Sequence, residues 1–265
     1  MKNFTNGGIH YQDLGDSQKL PIILLHGMTF NLTMWNPQIQ VLKKNYRVIA
    51  YDMRGHGLSD VGDGQYTYKM FANDLIDLMD LLGIEKAVLC GLSMGGALAI
   101  RTYEMYPDRI IALILSDTRS EADSNDTKEW RENSIELIKN NGLKRFTNDF
   151  LEGIFARDSF KSHPEAVELI RNIVLSTSPR SICGVLLAQA ARTDMAHVLP
   201  KIKVPTLIMI GENDNFTPLS SSKIMNEKIA DSKLKIIPKA GHISNLENTP
   251  EFNRNLIEFL NNINP

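Results

Sequence analysis

Two cysteines, Cys90 and Cys183, are all that this 265-residue chain contains. That is too few for the multi-bridge framework of a small secreted domain and fits a reducing compartment. Long apolar runs are missing as well. No stretch approaches the ~18 residues that a bilayer-spanning helix needs. The opening "MKNFTNGGIHYQDLGDSQKL" lacks the apolar centre of a secretory signal. Nor is there an excess of positive charge: 29 Lys and Arg stand against 31 Asp and Glu, a formal net charge of −2. That removes the electrostatic footprint of a nucleic-acid or anionic-membrane binder. No Cys/His/Asp spacing suggests a metal, and no G-x-G-x-x-G or P-loop suggests a nucleotide, so no cofactor is expected. Internal repeats and low-complexity tracts are absent. These exclusions leave a soluble, cytoplasmic protein as the expectation; its expected partner is a small molecule, and its expected state a monomer or homodimer. At 43% hydrophobic residues, the chain can build a substantial core.

What is present is an alternation of strand-like and helix-like segments. "NFTNGGIHYQDLG" reads as a hairpin around Gly7-Gly8. "LPIILLHG" and "YRVIAYDMRGHG" are continuous apolar runs ending in His-Gly or Arg-Gly-His, as buried strands would be. "MWNPQIQVLKKN" between them has helical spacing. In "YKMFANDLIDLMDLLGI", Phe71, Leu75, Leu78, Met79 and Leu82 fall on one helical face, and Gly83 stops the helix. Strand "KAVLCG", helix "ALAIRTYEMYP" and strand "IIALILSDT" follow. The pattern resumes with "VPTLIMIGENDNFTP", a helix from Ser220 to Ala230, strand "KLKIIPKAGH" and a helix from Thr249 to Asn262. Such alternation predicts an α/β fold, a mostly parallel sheet with helices on both faces.

Between about Thr118 and Leu199 the strands stop. "DTKEWRENSIELIKNNGLKRFTNDFLEGIF", "HPEAVELIRNIVLS" and "PRSICGVLLAQAA" all read as helices, and the charges nearly cancel. A helical insertion ahead of the last two strands belongs over the carboxyl ends of the sheet. The expected division is a core of residues 1–118 and 196–265, with a helical cap of 119–195.

One short stretch concentrates the chemistry. Gly91-Leu92-Ser93-Met94-Gly95 matches G-x-S-x-G and lies where a strand hands over to a helix. In that turn the serine hydroxyl stands exposed, small neighbours make room, and the helix N-terminus favours an oxyanion. A serine needs a base. Of six histidines, His26 and His56 read as loop-shaping hydrogen-bonders, and His10, His163 and His197 have no chemical context. His242, in "KAGHISNLE", sits on a loop after the last strand and fits the chain order Ser, acid, His. Asp214 in "IGENDNFTP" is the expected acid. Asp117 in "LSDT" is the alternative and better suited to fixing the start of the insertion; Glu212 sits too close to its strand end. The oxyanion donors should be the backbone N–H groups of Met94 and Met28.

"LLHGMTFNLTMW", "DMRGHGLSD", "GLSMGG", "YPDRIIALILSDT", "VPTLIMIGENDNFTP" and "AGHISNLENTPEFN" together resemble the α/β-hydrolase superfamily over essentially the whole chain. Within it, "SDT", "KEW…NGLKRF" and "GHISNLENTPEFN" look like the 3-oxoadipate enol-lactonases, which open a carboxylate-bearing enol-lactone. The resemblance implies Ser93, Asp214 and His242 as a triad and Trp130 facing the substrate. Residue spacing alone puts Trp130 in phase with Leu137 and Ile138, a core-like face.

The expected activity is therefore cleavage of a small ester or lactone through an acyl-enzyme, 3-oxoadipate enol-lactone being one candidate. Two other outcomes share the scaffold: a slow-turnover ligand receptor, and a C–C hydrolase or perhydrolase.

Overall fold

The computed structural model describes residues 3–263. Eight strands form one sheet: β1 (Asn3–Phe4), β2 (His10–Leu14), β3 (Pro21–Leu25), β4 (Arg47–Tyr51), β5 (Ala87–Leu92), β6 (Ile110–Ser116), β7 (Thr206–Gly211) and β8 (Ser232–Ile237). Their spatial order is β1-β2-β4-β3-β5-β6-β7-β8. The first two strands make the expected hairpin, with Phe4 opposite His10, and β2 runs antiparallel to β4. All later pairings are parallel. In β3, Ile22, Ile23, Leu24 and Leu25 are each fully buried. Consecutive residues of a strand point to opposite faces, so helices must cover the sheet on both sides.

The helices are α1 (Asn36–Leu42), α2 (Tyr68–Leu81), α3 (Met94–Met105), α4 (Asn125–Asn141), α5 (Leu143–Ile154), α6 (Ser159–Ser162), α7 (Pro164–Ser176), α8 (Pro179–Ala190), α9 (Leu219–Lys228), α10 (Ser244–Glu247) and α11 (Thr249–Leu260). Helix α2 buries Phe71, Leu75, Leu78 and Met79, the face its periodicity marks. Gly83, at φ 63°, follows its end in the left-handed region that glycine enters without cost.

All of α4–α8 falls between β6 and β7. The long helical reading from Asp126 to Phe155 is corrected here: it breaks into α4 and α5 at Gly142, which takes φ 75° and cannot continue a helix. The buried face of α4 also differs from the expected one. It consists of Arg131, Ser134, Ile135 and Ile138, with Trp130 and Leu137 at its edge and only partly buried. Backbone bonds tie the insertion down over the strand ends, since the His242 N–H donates to the carbonyl of Ile154 at the end of α5 at 2.8 Å.

Candidate active site

Ser93 stands between β5 and α3 at φ 55°, ψ −114°. Its neighbours are small because nothing larger fits. A Cβ on Gly91 would lie 2.2 Å from the Gly95 carbonyl oxygen, and one on Gly95 would lie 2.1 Å from that of Leu25. Among the described residues, four besides glycine have positive φ: Thr29, Ser93, Asp117 and Lys239. The first three follow β3, β5 and β6, and the fourth lies three residues before His242. Backbone strain of this kind costs of order 1–3 kcal/mol per residue and persists only where surrounding structure enforces it. Here it gathers at one end of one sheet.

At that end three side chains meet. The Ser93 hydroxyl donates to His242 Nε2 at 2.8 Å, and the His242 Nδ1–H donates to Asp214 Oδ2 at 2.9 Å. The carboxylate partner fixes the imidazole tautomer with Nε2 free to accept. The Asp214 side chain is fully buried and that of His242 nearly so. The other Asp214 oxygen, Oδ1, accepts the backbone N–H groups of Phe216 and Thr217, each at 2.8 Å. The turn-rich "ENDNFTP" thus folds back on its own aspartate and holds it oriented.

Asp117 takes a different part. Oδ1 accepts the Gly211 N–H at 2.8 Å and Oδ2 accepts the Ser244 hydroxyl at 2.5 Å. It joins the ends of β6 and β7 to α10 and makes no bond to His242. Burial, followed by the charge of Asp214, pushes its carboxyl well above the ordinary value. Glu247, which the sequence reading passed over, is also buried. It accepts the N–H groups of Gly241 and Ile243 on either side of His242, plus the Ala156 N–H and Ser159 hydroxyl of the insertion. Its only sequence trace is an acid five residues after His242 in an otherwise apolar and amide-rich run.

The loop after β3 is shaped by His26. Its Nδ1–H donates to the Gly27 carbonyl at 2.8 Å, while Nε2 accepts the Met53 N–H at 2.9 Å. Burial, then His56 beside it, holds the His26 pKa well below the usual value, so the ring is neutral. His56 is depressed to about 4, again mainly by burial. Among the described residues, neither the Met28 nor the Met94 amide N–H has an acceptor within the chain. Both residues line the same cavity as Ser93. The remaining histidines lie elsewhere: His10 pairs with Asp52, His197 with Glu104, and His163 sits beside Glu165.

That cavity is narrow, about 30 Å³. Its apolar wall includes Phe216, whose ring centroid lies 4.9 Å from that of His242. Trp130 stands one ring further out, packed edge-on against Phe216 at 5.7 Å and facing a separate groove with Leu137 and Phe150. The polar wall is formed by Arg119, Arg131 and Arg192, which the sequence reading did not single out. The trace was there: Arg131, Ile135 and Ile138 fall at i, i+4 and i+7, which places a guanidinium in the buried phase of α4.

Similarity to known proteins agrees with this architecture. Residues 21–249 match the family model of the alpha/beta hydrolase fold. The chain is 29% identical over 248 residues to 3-oxoadipate enol-lactonase 2 of Acinetobacter baylyi, covering 92% of this chain and 90% of that protein. Among solved structures, a thermophilic esterase from Thermogutta terrifontis superposes with a TM-score of 0.93 at 33% identity, covering 100% of this chain and 99% of its own. The enol-lactonase from Burkholderia xenovorans superposes at 0.91 with 29% identity, covering 98% and 100%. The chain belongs to the α/β-hydrolase family.

Proposed function

We propose that this protein is a carboxylic ester hydrolase acting on small esters or lactones, with Ser93 as nucleophile, His242 as general base and acid, and Asp214 as its orienting carboxylate. The observation that carries the reading is the unbroken chain of hydrogen bonds from the Ser93 hydroxyl through His242 to Asp214. The amide N–H groups of Met28 and Met94 receive the developing oxyanion. Core residues 1–118 and 196–265 supply this machinery, and residues 119–195 act as the cap that bounds the substrate.

Attack begins when Ser93 Oγ adds to the substrate carbonyl carbon and its proton passes to His242 Nε2. The carbonyl oxygen becomes the oxyanion, held by the two amides, which are already in place and pay no reorganisation cost. Asp214 stabilises the imidazolium without taking its proton. Collapse breaks the carbonyl carbon–oxygen bond of the ester, and His242 returns the proton to the leaving oxygen. In a lactone that oxygen stays tethered to the acyl group. A water then gives a proton to His242 and adds to the acyl-enzyme, releasing the acid and restoring Ser93. The narrow cavity favours short acyl groups, and 3-oxoadipate enol-lactone is the specific substrate we favour within that class, on similarity to the enol-lactonases.

The test is a panel of short acyl esters and small lactones with wild type and Ser93→Ala. Expected is wild-type turnover that falls by roughly four or more orders of magnitude in the variant, as removal of a triad serine does elsewhere. A fall within about tenfold, ~1.4 kcal/mol of barrier, would take Ser93 out of the mechanism.

A further inference from the structure

The cavity at Ser93 has a larger neighbour. Its own volume, about 30 Å³, is room for roughly two waters. An acyl group of more than a few carbons therefore needs space that this cavity does not hold. An outer pocket of about 530 Å³ lies beside it, and Tyr68 and Arg192 line both. The partition between the two is thus a single layer of side chains.

Helix α3 is a floor common to both. Met94 and Ala97 face the Ser93 cavity, while Arg101 and Met105, one and two turns beyond Ala97 on the same stripe, face the outer pocket. At ~1.5 Å per residue, Ala97 stands ~6 Å and Arg101 ~12 Å along the axis from Ser93. The partition joins core to insertion. The Tyr68 hydroxyl, at the start of α2, donates to Gln189 Oε1 in α8 at 2.5 Å, and the Arg192 guanidinium stands 5.9 Å from the Tyr68 ring centre. Tyr68 and Gln189 are both buried, and burial pushes the Tyr68 pKa up, so the phenol donates as a neutral group. Beyond them, Tyr66, Met105, Ala188 and Ala191 offer apolar surface. Arg101 there is paired with Glu104 and Thr193, and Lys69 is exposed.

We propose that the Tyr68–Gln189 pair is the stop that sets the length of the acyl chain, and that the outer pocket takes the apolar end of a longer chain once the pair parts. This rests on the ester-hydrolase reading above. The leaving oxygen takes its proton from His242, so the alcohol part of the substrate starts beside that ring. The acyl part leaves the carbonyl carbon on the other side and runs along α3, past Ala97, to the partition. Ala97 presents only a methyl group, which keeps the path open as far as Tyr68. A hydrogen bond between two uncharged side chains contributes little net free energy, so this partition yields where a charged pair would hold.

The test compares kcat/KM for 4-nitrophenyl butyrate and 4-nitrophenyl octanoate. Wild type should prefer the butyrate. Gln189→Ala and Tyr68→Ala, which open the partition from opposite sides, should each raise the octanoate-to-butyrate ratio by about tenfold or more, since burying only two further methylenes is worth about that factor. Adding Ala191→Trp to Gln189→Ala fills the outer pocket and should return the ratio towards that of wild type. An unchanged ratio in Gln189→Ala would overturn the proposal, and so would a raised ratio that Ala191→Trp leaves untouched. Binding supplies a readout independent of turnover. In the Ser93→Ala background, methyl octanoate should raise the Tm more when Gln189→Ala is also present, while methyl butyrate should not discriminate. Equal octanoate shifts with and without Gln189→Ala would also overturn it. A wild type that turns over neither ester, with the octanoate difference intact, would instead count against the hydrolase reading and leave the partition standing.

Discussion

The strand-end region and the helical insertion build opposite walls of one cavity by different means. On the core side, positions are set by backbone: strained turns at Thr29, Ser93 and Asp117, glycines with no room for a Cβ, and amides that point because the chain can run no other way. On the insertion side they are set by side chains: the guanidiniums of Arg119, Arg131 and Arg192, gathered about the Asp123 carboxylate. The first construction fixes a few atoms tightly. The second can change its ligand by changing a single side chain, which suits a family that shares its chemistry and differs in substrates. Each variant below separates a tightly fixed role from an adaptable one.

The largest effect should come from Asp214→Asn, which leaves the shape intact but lets the amide face His242 Nδ1 with the wrong tautomer. A fall of ~10⁴ in kcat is expected, on the precedent of the chymotrypsin aspartate. Asp117→Asn serves as the contrast. Its Oδ1 can still accept from Gly211 and its amide can donate to Ser244, so kcat should stay within about tenfold. The pH dependence carries a sign as well. A folded carboxyl pKa raised above the unfolded value makes the wild type lose stability as pH climbs from about 4 towards the folded pKa. Over that window the Tm difference between Asp117→Asn and wild type should move in favour of the variant. The reverse ranking of the two kcat values would transfer the acid's role to Asp117.

Next is Glu247→Gln. Four donors converge on this carboxylate, two of them flanking His242 and two from the insertion. An amide has one acceptor oxygen, so buried donors would be left facing its NH₂ group, at a cost of roughly 1–3 kcal/mol. The expected result is a lower Tm together with a lower kcat at nearly unchanged KM, because the loop carrying His242 loosens while the cavity does not. A Tm loss with full kcat would reduce Glu247 to a purely structural tie.

The smallest effect belongs to Trp130→Ala. Trp130 is half-buried and supports Phe216, which in turn covers His242. The kcat/KM ratio between a small and a bulky acyl ester should shift by a few-fold with modest loss of Tm. A loss of ~3–5 kcal/mol at constant ratio would mark the ring as ordinary core.

How much of this could be read in advance divides along the same line. The strand ends were legible because close backbone approach leaves a mark in residue type: Gly91 and Gly95 around Ser93, Gly27 after His26, the turn-forming Asn213 and Asn215 around Asp214. The strand–helix alternation gave the sheet for the same reason, since period and punctuation are local properties. The insertion wall was not legible. Asp123 and Arg192 lie far apart in the chain, and their meeting depends on how α4 and α8 cross, which no local spacing encodes. The resemblance points to Trp130, while its neighbour Arg131 reaches the cavity, because the buried phase of α4 is turned by one residue from the phase of Trp130.

The central claim is that Ser93 carries the acyl group. The most direct measurement treats the protein with a serine-directed phosphonate ester and follows residual ester hydrolysis alongside peptide mapping by mass spectrometry. The account expects one label, on Ser93, with activity lost in step with labelling and no label in Ser93→Ala. Full activity in protein completely labelled at Ser93, or inactivation that tracks a label on another residue, would contradict it.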